Sequence, residues 1–85
     1  MPSSILYNIS NIYFQQGKLE EAYKLLKESI DIDESLDNKP GLATSYNTMA
    51  GLLQSMPKHP EHSNAVYYYV KATNLAKFYR HQEKI

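Results

Sequence analysis

The chain contains 85 residues, 42% of them hydrophobic, and its nine basic and nine acidic side chains give a formal net charge of +0. This length predicts one small domain, and the balanced charge argues against nucleic acid as a partner, since phosphate binding requires a basic surface. The absence of Cys excludes disulfides and thiolate metal sites, and nothing resembles a signal peptide or a membrane span, so a cytoplasmic protein with no membrane partner is expected.

The first predicted helix covers residues 4–16, and Gly17 follows it. Gly inside a helix costs about 1 kcal/mol relative to Ala, and Gly readily adopts the left-handed conformation that ends helices. Gly17 is therefore predicted to form a turn between two antiparallel helices. The apolar residues of this helix recur at helical spacing, namely Ile5, Leu6, Ile9, Ile12, Tyr13 and Phe14.

The second predicted helix covers residues 19–36, with Glu20 and Glu21 in its first turn, where carboxylates suit the positive helix end. The stretch "LDNKPG" then breaks the apolar period. Asn38 is predicted to cap the C-terminus of this helix, and Pro40 is typical of the start of the next one.

The third and fourth helices are predicted over residues 41–56 and 63–82, separated by "MPKHPEHS", where two prolines disfavour helix. Pro60 also opposes the helical turn that would bring His59 and His62 together on a metal, so no metal site is expected. Five small or aromatic residues of the fourth helix are predicted to face the third, namely Ala65, Tyr69, Ala72, Ala76 and Tyr79.

The two halves of the chain repeat. Ser10 corresponds to Ala50, forty residues later, and a connection longer by three residues brings Ala22 into register with Ala65. Small residues at these four positions allow close approach of helix backbones, so Ser10 is predicted to pack against Ala22 and Ala50 against Ala65. The large positions repeat as well: Leu6, Ile9, Tyr13 and Leu26 match Tyr46, Met49, Leu53 and Tyr69, and Ser29 matches Ala72.

This pattern resembles the tetratricopeptide repeat family, and the "NIYFQQGKLEEA" of the first unit is highly typical. The second unit departs from the family at Pro57, which stands where the turn Gly is usual. The resemblance implies an all-α fold: a right-handed superhelical stack of helix hairpins, an α-solenoid, with four helices. It further implies a single domain over residues 1–85, with units of the longer, 40-residue type at about 4–38 and 41–80.

The family resemblance implies binding of a protein or peptide segment on a concave face formed by the first and third helices. No nucleophile–base pair or phosphate-binding loop occurs, so neither catalytic activity nor a cofactor is expected. Tyr and Phe would supply rigid apolar contacts there and amides would bond to a peptide backbone; the alternative is that the amides are merely solvated. The implied residues are Ser4, Tyr7, Asn8, Asn11, Phe14, Gln15, Thr44, Asn47, Thr48, Gly51 and Gln54.

The fourth helix carries apolar residues on a further flank, namely Val66, Tyr67, Val70 and Phe78. Exposed apolar flanks mark interaction sites, so a two-fold homodimer through this flank is predicted. Residues 1–37 carry three Lys against seven acidic residues, and residues 58–85 carry five basic against two acidic residues. Head-to-tail pairing of these oppositely charged ends is the alternative. A self-associating fragment of a larger peptide-sensing regulator is a further interpretation.

Overall fold

The computed structural model describes the backbone of residues 3–83 and the side chains of residues 3–77. Within that range it contains no strand, and its helix ends lie within two residues of the predicted ones. Helix α1 packs on α2 and α3 on α4, and the two hairpins meet where α2 contacts α3. The predicted all-α stack of four helices is confirmed. The helices are α1 (Ser3–Gln15), α2 (Leu19–Ser35), α3 (Lys39–Gln54) and α4 (Ala65–Glu83), the last preceded by a 3-10 turn at His62–Asn64.

The turn between α1 and α2 is formed as predicted, with Gly17 at a φ of 80°. The backbone N–H of Lys18 donates to the carbonyl of Tyr13 at 2.9 Å, and that of Gly17 to Phe14 at 3.0 Å. These two bonds define the Schellman motif, which satisfies the last carbonyls of a helix and reverses the chain.

The end of α2 uses the same motif with a different residue in the left-handed position. Asp37 has a φ of 52°, and the N–H of Asn38 donates to the carbonyl of Asp33 at 2.9 Å. The prediction that Asn38 ends α2 was therefore wrong. Asn38 is instead the N-cap of α3, where its side chain accepts from the N–H of Gly41 at 3.4 Å, a role that Asn performs well because its amide oxygen replaces a missing helix acceptor.

The core runs through both hairpins and centres on Leu26, Met49, Leu52 and Leu53, each 0% exposed. The burial of such side chains stabilises the fold by roughly 1.5–3 kcal/mol each. The four small residues predicted to allow close helix approach are all buried, namely Ser10, Ala22, Ala50 and Ala65.

One prediction about the face of α4 requires correction. Ala65 and Ala72 are buried, but Tyr69 is 44% exposed and Ala76 is also exposed. Tyr68 and Leu75 pack against the core, because each stands three residues after a buried alanine, Ala65 or Ala72, and so shares its face of the helix. The side chain of Tyr79 lies outside the described residues.

The long connection between α3 and α4 is held by its two histidines. His62 Nδ1 lies 2.7 Å from the carbonyl oxygen of Leu53, and the His59 ring packs edge-on against Tyr23 with centroids 4.5 Å apart. The connection is thereby attached to the end of α3 and to α2.

Candidate functional site

An open groove of about 640 Å³ lies along α3 and α4 and reaches one residue of α1. Its residues are neutral, and they combine aromatic rings, hydroxyls, an amide and small side chains. The lining comprises Tyr7 from α1, then Ala43, Thr44, Asn47 and Thr48 from α3, and Tyr69, Ala72, Thr73 and Ala76 from α4.

Hydrogen bonds between and within the helices fix the polar side of this groove. The Tyr7 hydroxyl and Thr48 Oγ1 lie 3.0 Å apart and join α1 to α3. Thr48 also donates to the carbonyl of Thr44 at 3.1 Å, one turn earlier. Asn47 remains exposed, so its amide can both donate to and accept from a bound backbone.

Four of the residues that the family resemblance implied lie together in this groove: Tyr7, Thr44, Asn47 and Thr48. Phe14 is half-buried and packs against the core, so its large ring is used in packing. Ser4 lies in a smaller neighbouring cavity. The other implied residues do not line the groove: Asn8, Gln15 and Gln54 are exposed, and Asn11 and Gly51 are half-buried.

The residues of α4 that line the groove were not predicted from the sequence to be binding residues. Tyr69, Thr73 and Ala76 line it, although Tyr69 and Ala76 were expected to face α3. Their spacing of four and three residues places them on one stripe of the helix, and the polar Thr73 at its centre is the signal that this stripe is solvent-facing.

A smaller cavity of about 190 Å³ lies where α1, α2 and α3 meet. Its carboxylate, Asp33, is 2% exposed and accepts hydrogen bonds from Ser3 Oγ at 2.6 Å and from Asn38 Nδ2 at 3.0 Å. A buried charge is tolerated when it is hydrogen-bonded in this way, so Asp33 has a structural role that joins the two units.

Lys71 of α4 links the second unit to α2 of the first. Its ammonium lies 3.6 Å from Glu34 Oε2 and over the rings of Tyr46 and Tyr67, 4.4 and 4.9 Å from their centroids, while the Tyr46 hydroxyl donates to Glu34 at 2.7 Å. Burial opposes the charge of Lys71, but hydrogen bonding with Tyr46 and Tyr67 outweighs it and raises the pKa of the ammonium. Lys71 therefore stays charged and joins α2 to α4.

Two classes of site are absent from the described residues. No group of three or more His, Cys, Asp or Glu side chains there could hold a metal ion. None of the helices in that range is long and apolar enough to cross a bilayer.

Comparison with known proteins gives a match to a family model. A family model of the tetratricopeptide repeat matches residues 2–77, a span that includes α1, α2, α3, most of α4 and every residue of the groove. Searches of the curated proteins and of the solved structures return no significant match.

Proposed function

Because this chain belongs to the tetratricopeptide repeat family, whose members are generally non-catalytic interaction modules, we propose that it binds a protein segment in the groove along α1, α3 and α4. One observation carries the proposal. Tyr7, Thr44, Asn47 and Thr48, implied by the family resemblance from two separate helices, lie side by side in a single open groove.

The lining indicates which segment fits. None of the side chains that line the groove is charged, so a charged segment would be desolvated without compensation. The rings of Tyr7 and Tyr69 offer apolar contact, and Asn47 offers a donor and an acceptor. A neutral segment with small or aliphatic side chains matches this chemistry, and its binding should depend little on salt.

Peptides selected from a random display library on the immobilised wild-type protein test this proposal. Asn47→Arg should weaken their binding at least tenfold, since it places a long charged side chain in the groove. Gln15→Arg is the matched control, because Gln15 is an exposed helical amide outside the groove. Equal affinity of the two variants, with circular dichroism showing that both are folded, would contradict the groove as the binding surface.

Self-association is the second candidate function, and the exposure of α4 supports it. Val66, Tyr67 and Val70 are 69%, 56% and 51% exposed, which is unusual for neighbouring apolar side chains on a helix. Tyr67 is partly engaged by Lys71, and the side chain of Phe78 lies outside the described residues. The two-fold homodimer predicted from the sequence would bury this flank.

Light scattering across the micromolar range tests the two-fold dimer. If the two-fold dimer forms, the wild-type mass should level off at two copies, and Val70→Lys should remain a monomer because a Lys would be buried against its symmetry mate. A wild type that grows beyond two copies would contradict this arrangement. A monomeric wild type at low and moderate salt would contradict it.

A further inference from the structure

The first unit shows what the groove on the second unit can accommodate. Helix α3 packs on α2, whose Leu26, Ile30 and Asp33 are 0%, 1% and 2% exposed. At the repeat offset of 43 residues, these positions become Tyr69, Thr73 and Ala76, which line the groove. We call the seat the surface formed by Ala43, Asn47, Tyr69, Thr73 and Ala76. It is the surface that holds α3, displaced by one unit.

Helix α1 carries the complementary face. Ser45, Met49 and Leu52 of α3 are 2%, 0% and 0% exposed. Forty residues earlier stand Ile5, Ile9 and Ile12, which we call the isoleucine stripe. Ile5 and Ile12 are 45% and 54% exposed and Ile9 is half-buried. The second unit thus carries an open seat, and the first unit carries a helix whose isoleucines stand at the positions that are buried in α3.

We propose that the seat binds α1 of a second copy of this chain, so that copies stack head to tail; this rests on the proposed function of the groove in protein binding. The sizes of the side chains support the pairing. Thr73 and Ala76 are smaller than their counterparts Ile30 and Asp33, although Tyr69 is larger than Leu26. On the inserted helix, Ile5 is larger than its counterpart Ser45. The smaller side chains at two positions of the seat leave space for the larger Ile5, as close packing requires.

The polar contacts between the units also have counterparts at this junction. Tyr7 and Thr48 lie 3.0 Å apart between α1 and α3, and the repeat register replaces them by Asn47 of one copy and Asn8 of the next. Both amides are exposed, and an amide pair can exchange hydrogen bonds in the same way.

The ion pair between the units reappears with its charges exchanged. Glu34 of α2 lies 3.6 Å from Lys71 of α4. The register replaces Glu34 by Lys77 in one copy and Lys71 by Glu28 in the next, and both are exposed. The acidic character of residues 1–37 and the basic character of residues 58–85 act in the same sense. Such complementarity favours this register over other contacts.

This arrangement differs from a two-fold dimer, because two different surfaces meet and each added copy presents a fresh seat.

Complementation between two variants tests the head-to-tail arrangement. Ile12→Lys disables the isoleucine stripe and Thr73→Lys disables the seat, both at exposed positions. In light scattering the wild type should grow beyond two copies with concentration, each variant alone should be a monomer, and their equimolar mixture should form a complex that stops at two copies. Leu36→Lys, at a 71% exposed apolar residue outside both surfaces, should behave as the wild type.

Charge exchange gives a second readout. Glu28→Lys should weaken association about two- to fivefold, the effect of one exposed ion pair, and adding Lys77→Glu in the same chain should restore it. A wild type that stays monomeric, a mixture that fails to form the two-copy complex, or a dimer that persists in Ile12→Lys would overturn the head-to-tail proposal. Peptide binding sensitive to Asn47→Arg would still leave the groove's proposed function standing, so the two proposals fail separately.

Discussion

Two residues end helices by adopting a left-handed backbone, Gly17 after α1 and Asp37 after α2. Gly pays no steric penalty in this conformation, whereas a residue with a Cβ is disfavoured by roughly 1–2 kcal/mol. A Cβ at Gly17 would meet nothing within 4 Å, so only the backbone opposes substitution there. The chain therefore has one relaxed and one strained copy of the same motif.

We predict opposite effects from exchanging these residues. Gly17→Ala should lower the free energy of unfolding by about 1 kcal/mol, and Asp37→Gly should raise it by up to about 1 kcal/mol. The Asp37–Lys39 ion pair that the second change removes has an Asp37 side chain 76% exposed and contributes little. Urea denaturation measures both. A destabilised Asp37→Gly would show that the strain at Asp37 is offset by contacts of its side chain.

Gly41 is required for a different reason, the close approach of α3 to the Asp33 side chain. A Cβ at Gly41 would lie 2.6 Å from Asn38 Nδ2 and 2.7 Å from Asp33 Oδ2, whereas a Cβ at Gly51 would meet nothing within 4 Å. Gly41→Ala should therefore cost roughly 1–3 kcal/mol, and Gly51→Ala, within the same helix, should stabilise by up to about 1 kcal/mol. Thermal melts of the pair should move in opposite directions; an unchanged Gly41→Ala would mean that the Asp33–Asn38 bond rearranges at no cost.

At the scale of helices, the sequence allowed all four elements to be predicted because apolar periodicity and the Gly and Pro breaks agree. The face of α4 could not be predicted in the same way. Its apolar residues surround the helix, as Val66, Tyr67, Tyr69 and Val70 show, so periodicity does not select a side. The family resemblance implied the groove residues on α1 and α3. Tyr69 and Thr73 could not be placed in the groove without knowing how α4 packs on α3.

The close approach of paired helices depends on the small residues between them. Ala22 is 1% exposed, and the repeat pattern pairs it with Ser10. Ala22→Leu should force α1 and α2 apart and lower the free energy of unfolding by roughly 1–3 kcal/mol. Ala76→Leu is the matched control, because Ala76 is an exposed helical alanine and its substitution should change stability by less than about 0.5 kcal/mol. Equal urea midpoints for the two variants would refute close packing at Ala22.

Considered as a whole, the molecule has one core shared by two units. Leu26 of α2 lies in the same buried cluster as Leu42 and Met49 of α3. The hydrogen bond of Asp33 with Asn38, the N-cap of α3, and the ion pair of Lys71 with Glu34 also join the units. Neither hairpin can bury its apolar surface alone, as is general for stacked repeats. The two units are therefore expected to unfold together in one transition.

This coupling can be tested at the junction. Leu26→Ala leaves a cavity in the shared core and should cost about 2–5 kcal/mol, against a total of about 4–13 kcal/mol expected for a chain of this length. The loss should affect both units equally.

Far-UV circular dichroism follows every helix, while tyrosine fluorescence includes Tyr46 and Tyr68, which pack together in the second unit with ring centroids 5.7 Å apart. In dilute solution the two signals should give one coincident urea transition, in the wild type and in Leu26→Ala at a lower midpoint. Leu36→Ala, at a 71% exposed leucine of the first unit, should leave that midpoint nearly unchanged. Separate transitions for the two signals would mean that the two units do not unfold together.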